Sequence, residues 1–229
     1  MGKKFVIGDI HGAFRALHQC MDRSSFDFEH DTLICLGDVC DGWPETRACL
    51  DLLMEIKNLI YLLGNHDTWT MSWMDTGCME EIWLLQGGKA TIQSFEKPVP
   101  EMYRQFFQRA LPYHEDGDRL FVHAGFDPQQ PIHAQPLTTL IWDRALANAC
   151  LDLHRMGLHQ PLTPYREVYI GHTPVPTEEP LHAGGIWMMD TGGGWSGKLS
   201  MMNLETYKIY QSDWVPQLYP EAPGRQKWR

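Results

Sequence analysis

The sequence predicts an α/β protein, on three observations. Apolar runs alternate with helical patterns through the first third of the chain. Five apolar runs end in a glycine-bearing loop that carries His, Asp or Asn. The last strand-like runs follow one another across glycine-rich turns with no helix between them.

Taken in order, Phe5-Val6-Ile7 reads as a strand, residues 13–23 as an amphipathic helix and Leu33-Ile34-Cys35-Leu36 as a strand. Residues 44–57 then read as a helix with Pro44 in its first turn, and Leu59 to Leu63 as a strand. This β-α-β-α-β order implies parallel strands joined by right-handed crossovers. Residues 69–112 form a cap-like segment, helical in two pieces around the turn Gln86-Gly87-Gly88. Its aromatic residues Trp69, Trp73, Trp83, Phe95, Tyr103, Phe106 and Phe107 are assigned to packing rather than to a ligand cage. A strand is expected at Leu120-Phe121-Val122 and a helix at 144–156. Strand-like runs follow at Val168-Tyr169-Ile170, Ile186 to Met189, Leu199 to Met202 and Tyr207 to Tyr210. The segment 167–210 is therefore expected to add antiparallel strands, and 211–229 to form a tail.

The chain has 229 residues, 43% of them hydrophobic, enough for one globular domain spanning 1–229 and too apolar for a disordered chain. No apolar stretch approaches the roughly 18 residues that cross a bilayer. The short N-terminal run meets Asp9 too early for a signal peptide, so a soluble, cytoplasmic protein with no membrane partner is expected. The six cysteines form no C-x-x-C pair and are expected as reduced, mostly buried thiols. A net charge of -10, from 19 basic and 29 acidic residues, argues against binding duplex nucleic acid. It does not exclude a phosphorylated substrate held locally by metals. Nothing in the sequence specifies an oligomeric state.

The polar residues after the apolar runs carry the chemistry. The runs end in Gly8-Asp9-Ile10-His11-Gly12, Gly37-Asp38-Val39-Cys40-Asp41, Gly64-Asn65-His66-Asp67, His123-Ala124-Gly125 and Gly171-His172-Thr173-Pro174. Any one of these alone reads as an ordinary turn. Together, at the carboxyl ends of strands in an open α/β sheet, they are expected to converge in one crevice. Two carboxylates, three histidines and an amide oxygen with no thiolate suit Mn, Fe, Zn or Ni in a site with open positions. Cys40 is left out of that set, because strand-like alternation would point it away from Asp38 and Asp41.

These blocks, with Leu140-Ile141-Trp142-Asp143-Arg144 and Met189-Asp190-Thr191-Gly192, resemble the calcineurin-like binuclear metallophosphoesterases over residues 3–210. The likeness is to the PPP-type phosphoprotein phosphatases of the bacterial and phage branch, which includes lambda-phage-type protein phosphatases and symmetrical diadenosine tetraphosphate hydrolases. Thr173 and Pro174 after His172 favour that branch over the Mre11-like nucleases, which carry Gly-His-x-His there. The resemblance implies a sandwich of two mixed β-sheets flanked by α-helices. It also implies two divalent cations, with Mn first and Fe, Zn or Ni as alternatives. Asp9 and His11 would bind the first, Asp38 would bridge both, and Asn65, His123 and His172 would complete the second.

Water shared between the cations would attack phosphorus directly. His66 would be the general acid, oriented and kept charged by Asp41. Arg144 would grip the phosphate oxygens, with Asn65 beside them. The plainer alternatives are a turn residue for Asp41 and a solvated helix-face arginine for Arg144.

One position departs from the pattern. PPP phosphatases usually read Gly-Asp-x-Val-Asp-Arg-Gly at the second block, and here Gly42-Trp43 follow Asp41. Half of the phosphate clamp is therefore expected to be missing, with Arg47 as a candidate substitute. The expected function is a metal-dependent phosphomonoesterase, first a protein serine/threonine phosphatase. The alternatives are a phosphohydrolase of dinucleoside polyphosphates or other nucleotides, for which Trp43, Trp69 or Trp195 is available to stack a base although packing is the first use of each, and a non-catalytic metal-binding interaction protein. Accordingly the expected partner is a phosphorylated protein, or a small phosphate ester or anhydride.

Overall fold

The computed structural model describes residues 2–225. Met1 and the last four positions of the expected 211–229 tail lie outside them. The strands are β1 (Lys4–Ile7), β2 (Thr32–Cys35), β3 (Asn58–Tyr61), β4 (Tyr113–Asp116), β5 (Arg119–Val122), β6 (Glu167–Ile170), β7 (Leu181–Ala183), β8 (Ile186–Met188), β9 (Ser200–Asn203) and β10 (Ile209–Gln211). The helices are α1 (Phe14–Ser24), α2 (Thr46–Met54), α3 (Asn65–Thr76), α4 (Glu81–Trp83), α5 (Lys89–Ser94), α6 (Glu101–Gln108), α7 (Leu137–Trp142), α8 (Ala145–Met156) and α9 (Val215–Leu218).

Two five-stranded mixed sheets result, in the orders β10-β9-β1-β2-β3 and β4-β5-β6-β8-β7. In the first, β1, β2 and β3 are parallel, with Phe5 opposite Leu33 and Leu33 opposite Leu59, as the β-α-β-α-β order requires. After their first residues β1 and β2 are apolar and buried because both of their faces are covered. Phe5 and Ile7 meet Leu17, Cys20 and Met21 of α1, whereas Val6 between them points into the second sheet with Ile34, Phe121, Tyr169 and Met202. The outer face of the second sheet packs Val122, Val168 and Ile170 against Leu146, Cys150 and Leu153 of α8. Each such fully buried aliphatic side chain contributes about 1.5–3 kcal/mol.

Four expectations need correction. The 167–210 strands are not uniformly antiparallel: β5, β6 and β8 are parallel neighbours, while β7 pairs antiparallel with β8. The antiparallel β9 and β10 return to the first sheet beside β1. All four residues of β9 are buried, so no alternation marks it as an interior strand of the other sheet. Edge strands β4 and β7 were not anticipated; Tyr-His-Glu-Asp carries no apolar run to announce β4. Third, α2 begins at Thr46, and Pro44 lies in the turn before it. The backbone there is already committed, since Trp43 N–H donates to His11 O (2.9 Å) and Glu45 N–H to Gly12 O (3.1 Å). Finally, the first helix of the cap starts at Asn65 rather than near 69, because Gly64 is extended and the Asp67 carboxylate accepts its N–H at 3.0 Å. Within the cap, Trp73, Trp83, Phe95, Tyr103 and Phe107 are buried, as expected for packing residues.

Candidate active site

The loops after β1, β2, β3, β5 and β6 meet at one rim of the sandwich. The six expected metal ligands form a continuous buried chain there. His11 Nε2 lies 3.9 Å from Asp9 Oδ2 and 4.0 Å from Asp38 Oδ2. Asp38 Oδ2 is 3.4 Å from His123 Nε2, which is 3.0 Å from Asn65 Oδ1, itself 2.9 Å from His172 Nδ1. Two groups, His11–Asp38–His66 and Asp38–His123–His172, have donor atoms close enough to share an ion, and Asp38 belongs to both.

Backbone strain marks the same residues. Of the six non-glycine residues with positive φ among those described, four are His11 (51°), Asp38 (52°), Asp41 (70°) and His172 (62°). Each such conformation costs about 1–3 kcal/mol and persists only where its surroundings enforce it. The neighbours are visible. His172 N–H donates to both Asp9 oxygens at 3.1 and 3.0 Å, and His66 N–H donates to Asp38 Oδ1 at 2.9 Å.

The ring orientations suit cation binding. His11 Nδ1 donates to Cys40 O at 2.8 Å and His123 Nδ1 to Leu36 O at 2.7 Å, leaving each Nε2 aimed inward. Cys40 thus contributes its carbonyl, with its buried thiol outside the ligand set. Burial pushes His172 down to about 3 and holds His11 well below the usual histidine range, so both are neutral ligands. Burial also raises Asp9 well above the carboxylate range, Asp190 to about 6 and Asp67 to about 7. Asp38 is different: burial works to raise it, but the His123 and His66 rings overcome this and hold it low. For His123, burial works downward and is overcome by Asp38 and Asp9, which lift it to about 10.

Asn65 Oδ1, Asp38 Oδ2 and the inward nitrogen of His123 are all acceptors unless a proton or a cation lies among them. Buried carboxylates and lone pairs this close fit divalent cations, and the O/N donor set matches Mn, Fe, Zn or Ni.

His66 and Asp41 form the expected pair, Nδ1 to Oδ2 at 2.7 Å. The cap fixes Asp41: Trp83 Nε1–H donates to Oδ2 at 2.8 Å and the Thr91 hydroxyl to Oδ1 at 2.7 Å. The expectation that Asp41 keeps His66 charged is revised. Burial dominates both groups and favours their neutral forms, raising Asp41 to about 8 and lowering His66 to about 3. Between those values the pair holds one titratable proton. Whether it sits on Oδ2 or on Nδ1, Nε2 keeps a hydrogen. Arg144 caps α8, is exposed and lines a cavity of about 550 Å³ with His66, Asn65, Asp38 and His172. Arg47 is elsewhere, donating to Tyr103 Oη at 3.1 Å and facing Asp51 at 3.8 Å.

Comparison with known proteins gives the family. The calcineurin-like phosphoesterase family matches residues 3–187. The chain belongs to that family.

As a calcineurin-like phosphoesterase, it is a hydrolase of a family that binds two divalent cations. It is 24% identical to serine/threonine-protein phosphatase 1 of Salmonella typhimurium, over 88% of this chain and 91% of that protein. It is 28% identical to a symmetrical bis(5'-nucleosyl)-tetraphosphatase of Nitrosospira multiformis, over 60% of this chain and 49% of that one. The chain thus spans about half the length of the tetraphosphatase. Among solved structures, a candidate diadenosine tetraphosphatase superposes with a TM-score of 0.70 at 17% identity, covering 92% of each chain. That likeness is one of fold, and it is the expected two-sheet sandwich.

Sequence reasoning undervalued Asp67 in this phosphoesterase. It is given no role there, yet it is fully buried and ties two motif loops to β3. It accepts from Asp38 N–H (3.0 Å), Val39 N–H (3.2 Å), Gly64 N–H (3.0 Å) and Tyr61 Oη (2.8 Å). The signal available was its place three residues after Gly64, the N3 position of a helix. Asp67→Ala strands these donors, so urea unfolding is expected to show a loss of about 3–5 kcal/mol. A change below about 1 kcal/mol would contradict this role.

Proposed function

We propose that this phosphoesterase is a cytoplasmic phosphomonoesterase whose first substrates are phosphoserine and phosphothreonine in proteins. The observation that carries the reading is the cavity lined by Arg144, His66, Asp38, Asn65 and His172, where Asp38 belongs to both groups of side chains able to share an ion. In this reading Asp9, His11 and Asp38 would hold one divalent cation, and Asp38, Asn65, His123 and His172 would hold the other, Mn being the first choice. When bound, the cations supply Lewis-acid polarisation of the phosphate and make water a competent nucleophile at neutral pH. Arg144 offers its guanidinium to two phosphate oxygens and Asn65 lies beside them. His66 Nε2 would give its hydrogen to the departing oxygen while the proton shared with Asp41 ends on Nδ1, leaving a neutral ring and the Asp41 carboxylate. The five buried free thiols support a reducing compartment. No helix among the described residues is long and apolar enough to cross a membrane.

A protein substrate is supported by the Salmonella phosphatase, which aligns over nearly its whole length. A nucleotide substrate has its own supporting observation. Trp142, 43% exposed, meets Trp69 edge-on at 5.3 Å on the cavity wall and offers a surface for a base. The other tryptophans considered for stacking are occupied: Trp43 is buried against Tyr219 and Trp195 lies under Arg225. Initial rates on a phosphoserine and phosphothreonine peptide panel and on diadenosine tetraphosphate, at equal Mn, separate the readings. The peptides are expected to win by at least about tenfold in kcat/KM. A preference of that size for the nucleotide would replace the first reading with the second.

A further inference from the structure

We propose that Arg225, delivered from the C-terminal segment, is a second phosphate-binding arginine of this site, in addition to Arg144. The inference rests on the phosphohydrolase reading above. Arg225 lines the same cavity as Arg144, Asn65 and His66. Its Nη2 donates to Gln86 Oε1 at 2.7 Å and its guanidinium lies 4.2 Å from the centre of the Trp195 ring, so the group is held on two sides. Of the other two nitrogens, one has no partner and one meets a site histidine. Nε is buried without a hydrogen-bond partner among the described residues, and Nη1 lies 3.0 Å from His11 Nε2, the lone pair a cation would claim. No carboxylate among the described residues forms an ion pair with Arg225, although the site is acidic. A half-buried guanidinium with an unpartnered donor, lining the same cavity as a second arginine, is built for an oxyanion of the phosphate class.

The path of the chain explains how it arrives. The segment carrying α9 is anchored where Tyr219 stacks on Trp43, ring centres 5.1 Å apart, and its hydroxyl bonds the Glu45 carboxylate. Gly224 then lies flat on Trp43, at φ 61°, where a Cβ would come within 2.7 Å of the ring. Arg225 N–H closes on Gly194 O at 3.4 Å. This also accounts for Gly42. Its φ of 119° suits glycine, and a Cβ there would stand 3.0 Å from Arg225 Cγ. Trp43, the residue after it, is the platform on which the segment lands. The pair Gly42-Trp43 therefore makes room for an arginine from elsewhere in the chain, and Arg47, bound to Tyr103, is not needed.

The test is orthophosphate binding to the Mn-loaded, full-length protein by titration calorimetry, on wild type, Arg225→Ala and Arg225→Lys, with metal content measured on each sample. The expected result is a phosphate Kd raised about 10- to 100-fold in Arg225→Ala at unchanged metal content, and only partly restored by Lys, which cannot bind two oxygens at once. KM for a phosphopeptide is expected to rise in parallel. Wild-type binding with no change in Arg225→Ala overturns the inference and leaves the phosphohydrolase reading standing. Tighter phosphate or metal binding in Arg225→Ala also overturns it, by making the arginine a plug. A wild-type protein that binds no orthophosphate overturns the reading beneath it as well.

Discussion

His66→Asn is expected to lower kcat on a phosphoserine peptide by about 10²–10⁴, and to lower it far less on p-nitrophenyl phosphate. The difference lies in the leaving groups. A serine alkoxide is strongly basic and needs a proton as the P–O bond breaks, whereas p-nitrophenolate leaves unaided. Among the described residues His66 has a single carboxylate partner at hydrogen-bond distance, Asp41 at 2.7 Å, and Asp41 is fixed in turn by Trp83 and Thr91. This bridge occupies Nδ1 and leaves Nε2 as the atom that can give a proton outward. Asparagine keeps a similar shape and some hydrogen bonding but has no proton to give at that potential. Equal losses on the two substrates would remove His66 from the role of acid and return it to positioning.

Asp38→Asn is expected to cost at least about 10³-fold in kcat, some 4 kcal/mol of transition-state stabilisation, on every phosphate ester. Asp38 belongs to both ligand groups, 4.0 Å from His11 and 3.4 Å from His123. The amide is nearly isosteric and Oδ1 can still accept the His66 N–H, so the loop is expected to stay folded. What disappears is the charge on the one oxygen pair facing both halves of the site. Elemental analysis is expected to fall from two metals per chain to one or fewer. Full metal content together with wild-type turnover in Asp38→Asn would contradict the bridging assignment.

The parts of the molecule legible in the sequence are those where one local rule decides the outcome. β1, β2, β3, β5 and β6 are continuous apolar runs because each is covered on both faces, and the polar residues after them converge because parallel strands end at one rim. The sequence therefore led directly to Asp9, His11, Asp38, Asn65, His66, His123 and His172. Features set by long-range pairing were not legible. β9 could not be assigned to the first sheet, since four buried residues show no alternation and their partner β1 lies nearly 200 positions earlier. β4 was hidden because an edge strand needs few apolar residues.

The site followed the same division. Asp67 and Asp41 act through hydrogen bonds to groups that the fold brings together, which spacing alone does not reveal. Gly42 read as a loss, and the structure gives it a physical cause in the packing of Gly87 and Arg225 against it. Membership of a hydrolase family overturns the non-catalytic reading that Gly42 had prompted.

The central claim is that two cations held by these six side chains make the chain a phosphomonoesterase. Its most direct measurement is phosphate release from p-nitrophenyl phosphate by chelator-stripped protein, titrated with Mn while bound metal per chain is counted. The account predicts no turnover in the stripped protein and recovery that saturates at two equivalents per chain. Turnover that survives stripping, or that saturates at a single equivalent, would contradict it.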